Sequence, residues 1–231
     1  MLVNSTNFIH SLTSSKALTC LDLSCWCISD QFFSSIAMES LPLTRLGLRN
    51  CTGYTYSVIL AFLSKCLSIQ HLDLQSAHFL TNHRVAQLSN CPSLTEIIMR
   101  STCICGEKTT AHNSTNSIVY PQLHSLWFAN NYFLKDENII MFASLFPNLQ
   151  LLELSRCCHI TQQGITQVLR RCSKIRHLDL SNCTTLKSLG MTNFEVPNLE
   201  VLNLMRTRLD DQALYAISNS CPGLLQLSLQ L

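Results

Sequence analysis

The chain has 231 residues, with 16 Lys and Arg against 14 Asp and Glu, a formal net charge of +2, and a charged fraction of only 13%. This balance gives no strong overall attraction to nucleic acid or to an anionic membrane surface, so neither is an expected partner. No apolar run approaches the ~18 residues of a membrane span, and Met1-Leu2-Val3 leads at once into polar Asn4-Ser5-Thr6 rather than a signal-peptide core. The 13 cysteines are therefore expected as reduced thiols in the cytoplasm or nucleus, and their odd number fits poorly with a complete disulfide framework.

In chain order, residues 1–17 read as the helix remnant of a preceding repeat, carried by Val3, Phe8, Ile9 and Leu12. From residue 18 the pattern L-x-x-L-x-L recurs nine times. It starts at Leu18, Leu43, Ile69, Leu94, Leu123, Leu149, Ile175, Leu199 and Leu224, in steps of 24 to 29 residues. A fixed period of this size marks a solenoid, because each unit buries too little apolar surface alone and must stack on its neighbours. The alternating L-x-L core predicts a short strand with its leucines inward. Stacked in register, nine such strands make one parallel sheet roughly 40 Å long, at about 4.8 Å per strand.

Helices are expected behind the strands. In the first repeat Ser29 is the cap and Phe32, Phe33 and Ile36 form the inward stripe. In the third, Thr81 caps a helix with Val85 and Leu88 inward. In the sixth, Thr161 is the N-cap before a helix face of Ile165, Val168 and Leu169. In the eighth, Asp210 is the cap before Ala213, Leu214 and Ile217. The fourth repeat differs: residues 101–120 read as a polar insertion in place of a helix. The seventh, from Thr184 to Pro197, is expected to have at most one helical turn.

Cysteines hold repeat addresses. Cys51, Cys157 and Cys183 stand three residues past the strand leucines. Cys66, Cys91, Cys172 and Cys221 end the helical stretch, and Pro92, Pro147, Pro197 and Pro222 share the turn that follows. The resulting phrase, C-P-x-L-x-x-L-x-L-x-x-C-x-x-I-T, is clearest from Leu149 to Thr161, Ile175 to Cys183 and Cys221 to Leu229. It resembles the cysteine-containing leucine-rich repeat of F-box/LRR proteins, over residues 18–231. The resemblance implies an α/β leucine-rich-repeat horseshoe with a concave parallel sheet and convex helices. It also implies a substrate-recognition region like that of an SCF-type ubiquitin ligase receptor. In that family an N-terminal F-box binds the ligase adaptor. Only 17 residues precede the first strand here, so the adaptor is expected to be reached only through a segment outside this sequence. The alternative is an F-box-free scaffold or inhibitor.

Strand alternation assigns the exposed face. Its candidate partner-binding residues are Arg45, Arg49, His71, Asp73, Glu96 and Arg100 in the first four repeats, then Trp127, Glu153, His177 and Asp179 further on. Trp127 is the sharpest candidate, since a tryptophan in a groove is a frequent hot spot. The arginines suit a carboxylate or phosphate, and the acids suit those arginines or a basic partner. A protein substrate is the expected occupant.

No catalytic residue, cofactor or metal is expected. The chain has no G-x-S-x-G, Walker A or G-x-G-x-x-G motif. Cys103-Ile104-Cys105 with His112 lacks a second C-x-x-C pair. Asp210-Asp211 suits a helix start. The N-x-[ST] matches at Asn4, Asn50, Asn113 and Asn182 read as chance.

Overall fold

Each of the nine L-x-x-L-x-L segments forms a three-residue strand centred on its second leucine or isoleucine. In this computed structural model the described residues are all except 1, 4, 5, 40, 105–118, 192, 193 and 231. They fall into two units, Met1–Thr102 and Cys103–Leu231.

The first unit contains β1 (Leu2–Val3), α1 (Thr6–Ser14), β2 (Cys20–Asp22), β3 (Cys27–Ile28), α2 (Asp30–Ala37), β4 (Arg45–Gly47), α3 (Tyr56–Lys65), β5 (His71–Asp73), α4 (Asn82–Leu88) and β6 (Glu96–Ile98). Strands β2, β4, β5 and β6 pair in parallel with equivalent residues opposite, so Leu21, Leu46, Leu72 and Ile97 form one buried row. The helices bury the stripe that the spacing predicts: Phe32, Phe33 and Ile36 in α2, and Val85 and Leu88 in α4. Phe33 and Phe62 meet edge-to-face at 5.6 Å, which locks α2 to α3. Val3, expected in a helix with Phe8, lies instead in β1, which pairs in parallel with β3. The helix itself begins only at Thr6.

The second unit contains β7 (Ser125–Trp127), α5 (Asp136–Leu145), β8 (Leu151–Glu153), α6 (Gln162–Arg171), β9 (His177–Asp179), β10 (Val201–Asn203), α7 (Asp211–Ser220) and β11 (Gln226–Ser228). These five strands are again parallel and in register. Between β9 and β10 no helix is found among the described residues, as the short seventh repeat predicts. Leu186, Leu189 and Met191, in irregular chain, are buried there. The polar stretch expected over 101–120 falls largely outside the described residues. Leu227 of β11 and Leu229 just after it are 41% and 42% exposed, whereas their counterparts in the other repeats are buried.

The four caps predicted from sequence all form. Ser29, Thr81, Thr161 and Asp210 accept from the backbone N–H of Phe32, Arg84, Gln163 and Ala213 at 3.3, 3.4, 3.2 and 2.8 Å. Two helix-start aspartates also link successive repeats. Asp30 accepts from Thr55 N and Oγ1, and Asp136 from Thr161 N and Oγ1.

Two residues past the second strand leucine, the chain turns through the left-handed region. Cys25, Asn50, Ser76, Ser101, Asn130, Arg156, Asn182 and Arg206 hold φ between 54° and 66°. The N–H of Asn50 then donates to Gln75 O, that of Arg156 to Ser181 O and that of Arg206 to Gln230 O. In six of these eight turns the next position is buried. There Cys51, Cys157 and Cys183 donate Sγ–H to Leu23 O, Phe128 O and Leu154 O of the preceding repeat. All described cysteines are free thiols.

Candidate partner-binding faces

The outward strand residues line two hollows, one in each unit. In the first unit a hollow of about 300 Å³ is lined by Cys20, Asp22, Arg45, Arg49, His71, Asp73 and Glu96. Its charges largely answer one another. Arg49 Nε lies 3.7 Å from Asp73 Oδ2, and His71 Nδ1 lies 3.2 Å from Glu96 Oε1. Asp22 accepts from the Ser24 hydroxyl and backbone N–H, and these bonds hold its carboxyl below its ordinary range. Arg45 is exposed and takes part in no ion pair among the described residues. Arg100 is half-buried two residues past the end of β6.

In the second unit another hollow of about 300 Å³ is lined by Trp127, Leu151, Glu153, His177, Asp179, Val201 and Asn203. Here the outward residues that open β8 and β10 are Leu151 and Val201, and the lining is mainly apolar. Trp127 is half-buried, not fully exposed, and sits opposite Glu153 in the strand register. Glu153 is only 6% exposed. Its carboxylate accepts from Ala129 N at 3.0 Å and from the backbone and hydroxyl of Ser155. Asp179 accepts from Ser181 N at 2.8 Å and Asn203 Nδ2 at 2.9 Å. His177 is exposed.

The acids between the two leucines of L-x-L thus have a structural task that alternation alone does not reveal. Asp22, Asp73, Glu153 and Asp179 each receive the backbone N–H two residues on, at the start of the left-handed turn. The recurring D/E-x-S/Q spacing before the turn is the signal that could have shown this. Of the ten residues predicted for partner binding, Arg45, Arg49, His71 and Asp73 converge on the first hollow, with Glu96 beside them. Trp127, Glu153, His177 and Asp179 converge on the second. Arg100 lines neither.

Burial favours the protonated form of the core thiols. Burial pushes Cys172 and Cys183 up to about 12, and Cys66 and Cys221 up to about 11. Among the described residues no group of three or more His, Cys, Asp or Glu is placed to hold a metal ion. No described helix is long and apolar enough to cross a membrane.

Comparison with solved structures gives a leucine-rich-repeat protein of Legionella pneumophila, LegL7, at a TM-score of 0.53 and 12% identity, over 99% of this chain and 88% of that one. The fold is a leucine-rich repeat. A chain of the mouse RP105/MD-1 complex aligns at a TM-score of 0.46 and 16% identity, over 92% of this chain and 43% of that one. In sequence, the chain is 26% identical over 191 residues to F-box/LRR-repeat protein 4 of Bos taurus. The match covers 79% of this chain and 30% of that protein, so this leucine-rich-repeat chain spans under a third of its relative. No family model matches. The resemblance to the leucine-rich-repeat region of F-box/LRR proteins therefore rests on the repeat phrase, the fold and this relative. Together they make the chain a protein-interaction module.

Proposed function

We propose that residues 18–231 are the substrate-recognition region of an SCF-type ubiquitin ligase receptor, acting in the cytoplasm or nucleus. The observation that carries this reading is the match to an F-box/LRR protein over most of the chain. The reduced-thiol chemistry of the buried cysteines is consistent with it. The substrate is a protein, held on the outward strand faces through Arg45, Arg49 and His71 in the first unit and Trp127, Leu151 and His177 in the second. The ligase adaptor is engaged by a segment outside these residues.

The test is affinity capture with two baits, the full-length natural protein and residues 18–231 alone. The full-length bait should retain the cullin adaptor, and the repeat bait should not. Proteins that co-purify with both should accumulate when the gene is silenced. A full-length protein that captures partners but no adaptor would leave the other reading standing, a scaffold or inhibitor without a ligase role.

A further inference from the structure

The second unit carries a third surface, separate from its strand face. It is the rim formed by the turns that follow β7, β8, β9 and β10. Residues 128–135, 154–161, 180–187 and 204–209 hold five Lys and Arg and no Asp or Glu. The cations are Lys135, Arg156, Lys187, Arg206 and Arg208, and all five are exposed. None takes part in an ion pair among the described residues.

These turns form a continuous ribbon. Lys135 bridges His159 in parallel, Thr185 Oγ1 donates to Ile160 O at 2.7 Å, and Arg208 N donates to Leu186 O at 3.2 Å. Of the carboxylates that adjoin the ribbon, Asp136 binds Thr161 and Asp210 caps α7 at Ala213, while Glu137 and Asp211 lie in the first turns of α5 and α7. At one end of the ribbon stand Tyr132 and Phe133, 51% and 57% exposed. The corresponding places in the next turns are Cys158 and His159, then Thr184 and Thr185. Two of the cations, Arg156 and Arg206, occupy left-handed positions where Asn and Ser stand in other repeats. Arginine is poorly suited to that backbone.

We propose that this rim docks an acidic segment of a protein partner, with an apolar side chain of that segment against Tyr132 and Phe133. The proposal rests on the protein-recognition reading and adds the chemistry of the partner. Five exposed cations outside any ion pair among the described residues are complementary to carboxylates, and exposed aromatic rings at one end give the segment a direction. Such a contact steers association and weakens with salt.

The test uses the 231-residue chain and a fluorescein-labelled peptide of alternating Glu and Asp ending in Phe, read by anisotropy at about 150 mM salt, where exposed charges are screened beyond about 8 Å. The peptide should bind, and the triple variant Arg156→Gln/Arg206→Gln/Arg208→Gln should weaken it about tenfold or more. Circular dichroism should show that variant folded. Removing as many charges elsewhere, by Lys16→Gln/Lys65→Gln/Lys174→Gln, should change affinity by less than about twofold, since those charges lie off the rim. No binding by the native chain overturns the proposal, as does equal binding by the rim variant. Loss of binding on Arg45→Gln with the rim variant unaffected would move the site to the strand face and leave protein recognition standing. Tighter binding of a single-stranded oligonucleotide than of the peptide would assign the rim to nucleic acid.

Discussion

Arg206 and Asn182 occupy the same left-handed turn in successive repeats, yet their side chains suit it unequally. Asparagine tolerates positive φ, while an arginine there crowds its Cβ against the following carbonyl. Arg206→Asn should therefore raise the stability of the chain by about 0.5–1 kcal/mol. Asn182→Val, which puts a β-branched residue at φ 60°, should lower it by about 1–2 kcal/mol. Urea unfolding checks both, and equal midpoints would remove the turn as a source of strain.

A second residue-scale outcome concerns the thiols. Cys172 and Cys183 are raised by burial from an ordinary value of 9.0 to about 12. A group whose folded value is raised binds more protons folded than unfolded at high pH. Its contribution is present in full below about pH 9 and is lost as pH rises from there toward 12. The unfolding midpoint should fall over that range, and less steeply in Cys172→Ala/Cys183→Ala. In the native protein at pH 8, a thiol reagent should modify exposed Cys20 and Cys25 quickly and leave Cys172 and Cys183 intact. Rapid modification of all of them would mean that the repeats open readily.

At the scale of elements, the link between α5 and α6 is testable. Thr161 caps α6 and also gives its N–H and hydroxyl to Asp136 at the start of α5. Gly164 lies so close that an added Cβ would strike the Asp136 carboxylate. Thr161→Ala should cost about 1–2 kcal/mol. Combined with Asp136→Ala it should show a coupling of about 0.5 kcal/mol or more, because both remove the same contact. Strict additivity in denaturant titrations would show that the bridge contributes nothing.

The legible and illegible elements separate on physical grounds. Helices α2, α4, α6 and α7 could be placed because a cap residue and a 3.6-period stripe lie in one short window. Strand β1 could not, because Leu2–Val3 is extended only by pairing with Cys27–Ile28, far along the chain. Phe8, Ile9 and Leu12 carry a helical spacing, and nothing local separates Val3 from them. The strand face was legible for a like reason, as period 2 sorts inward from outward residues. How deeply Glu153 is buried was not, since that depends on Ala129 N, 24 residues away, as well as on Ser155.

For the whole molecule, the two hollows differ in the physics by which they could hold a partner. The first presents Arg45 and Arg49 among carboxylates, where interactions are screened by salt. The second presents Trp127 beside Leu151 and Val201, where apolar burial dominates. Substitutions in each should therefore leave a different kinetic signature on the protein that occupies it. Arg45→Ala should slow association and flatten its dependence on salt, with little change in dissociation. Trp127→Ala should speed dissociation, by an amount equivalent to about 2 kcal/mol or more if the indole is a hot spot, and leave the salt dependence unaltered. Surface-plasmon-resonance traces at low and high salt separate the two. A Trp127→Ala chain that binds as the native one does would take the second hollow out of the interface. A loss of helical dichroism in that variant would instead show the indole to be part of the packing.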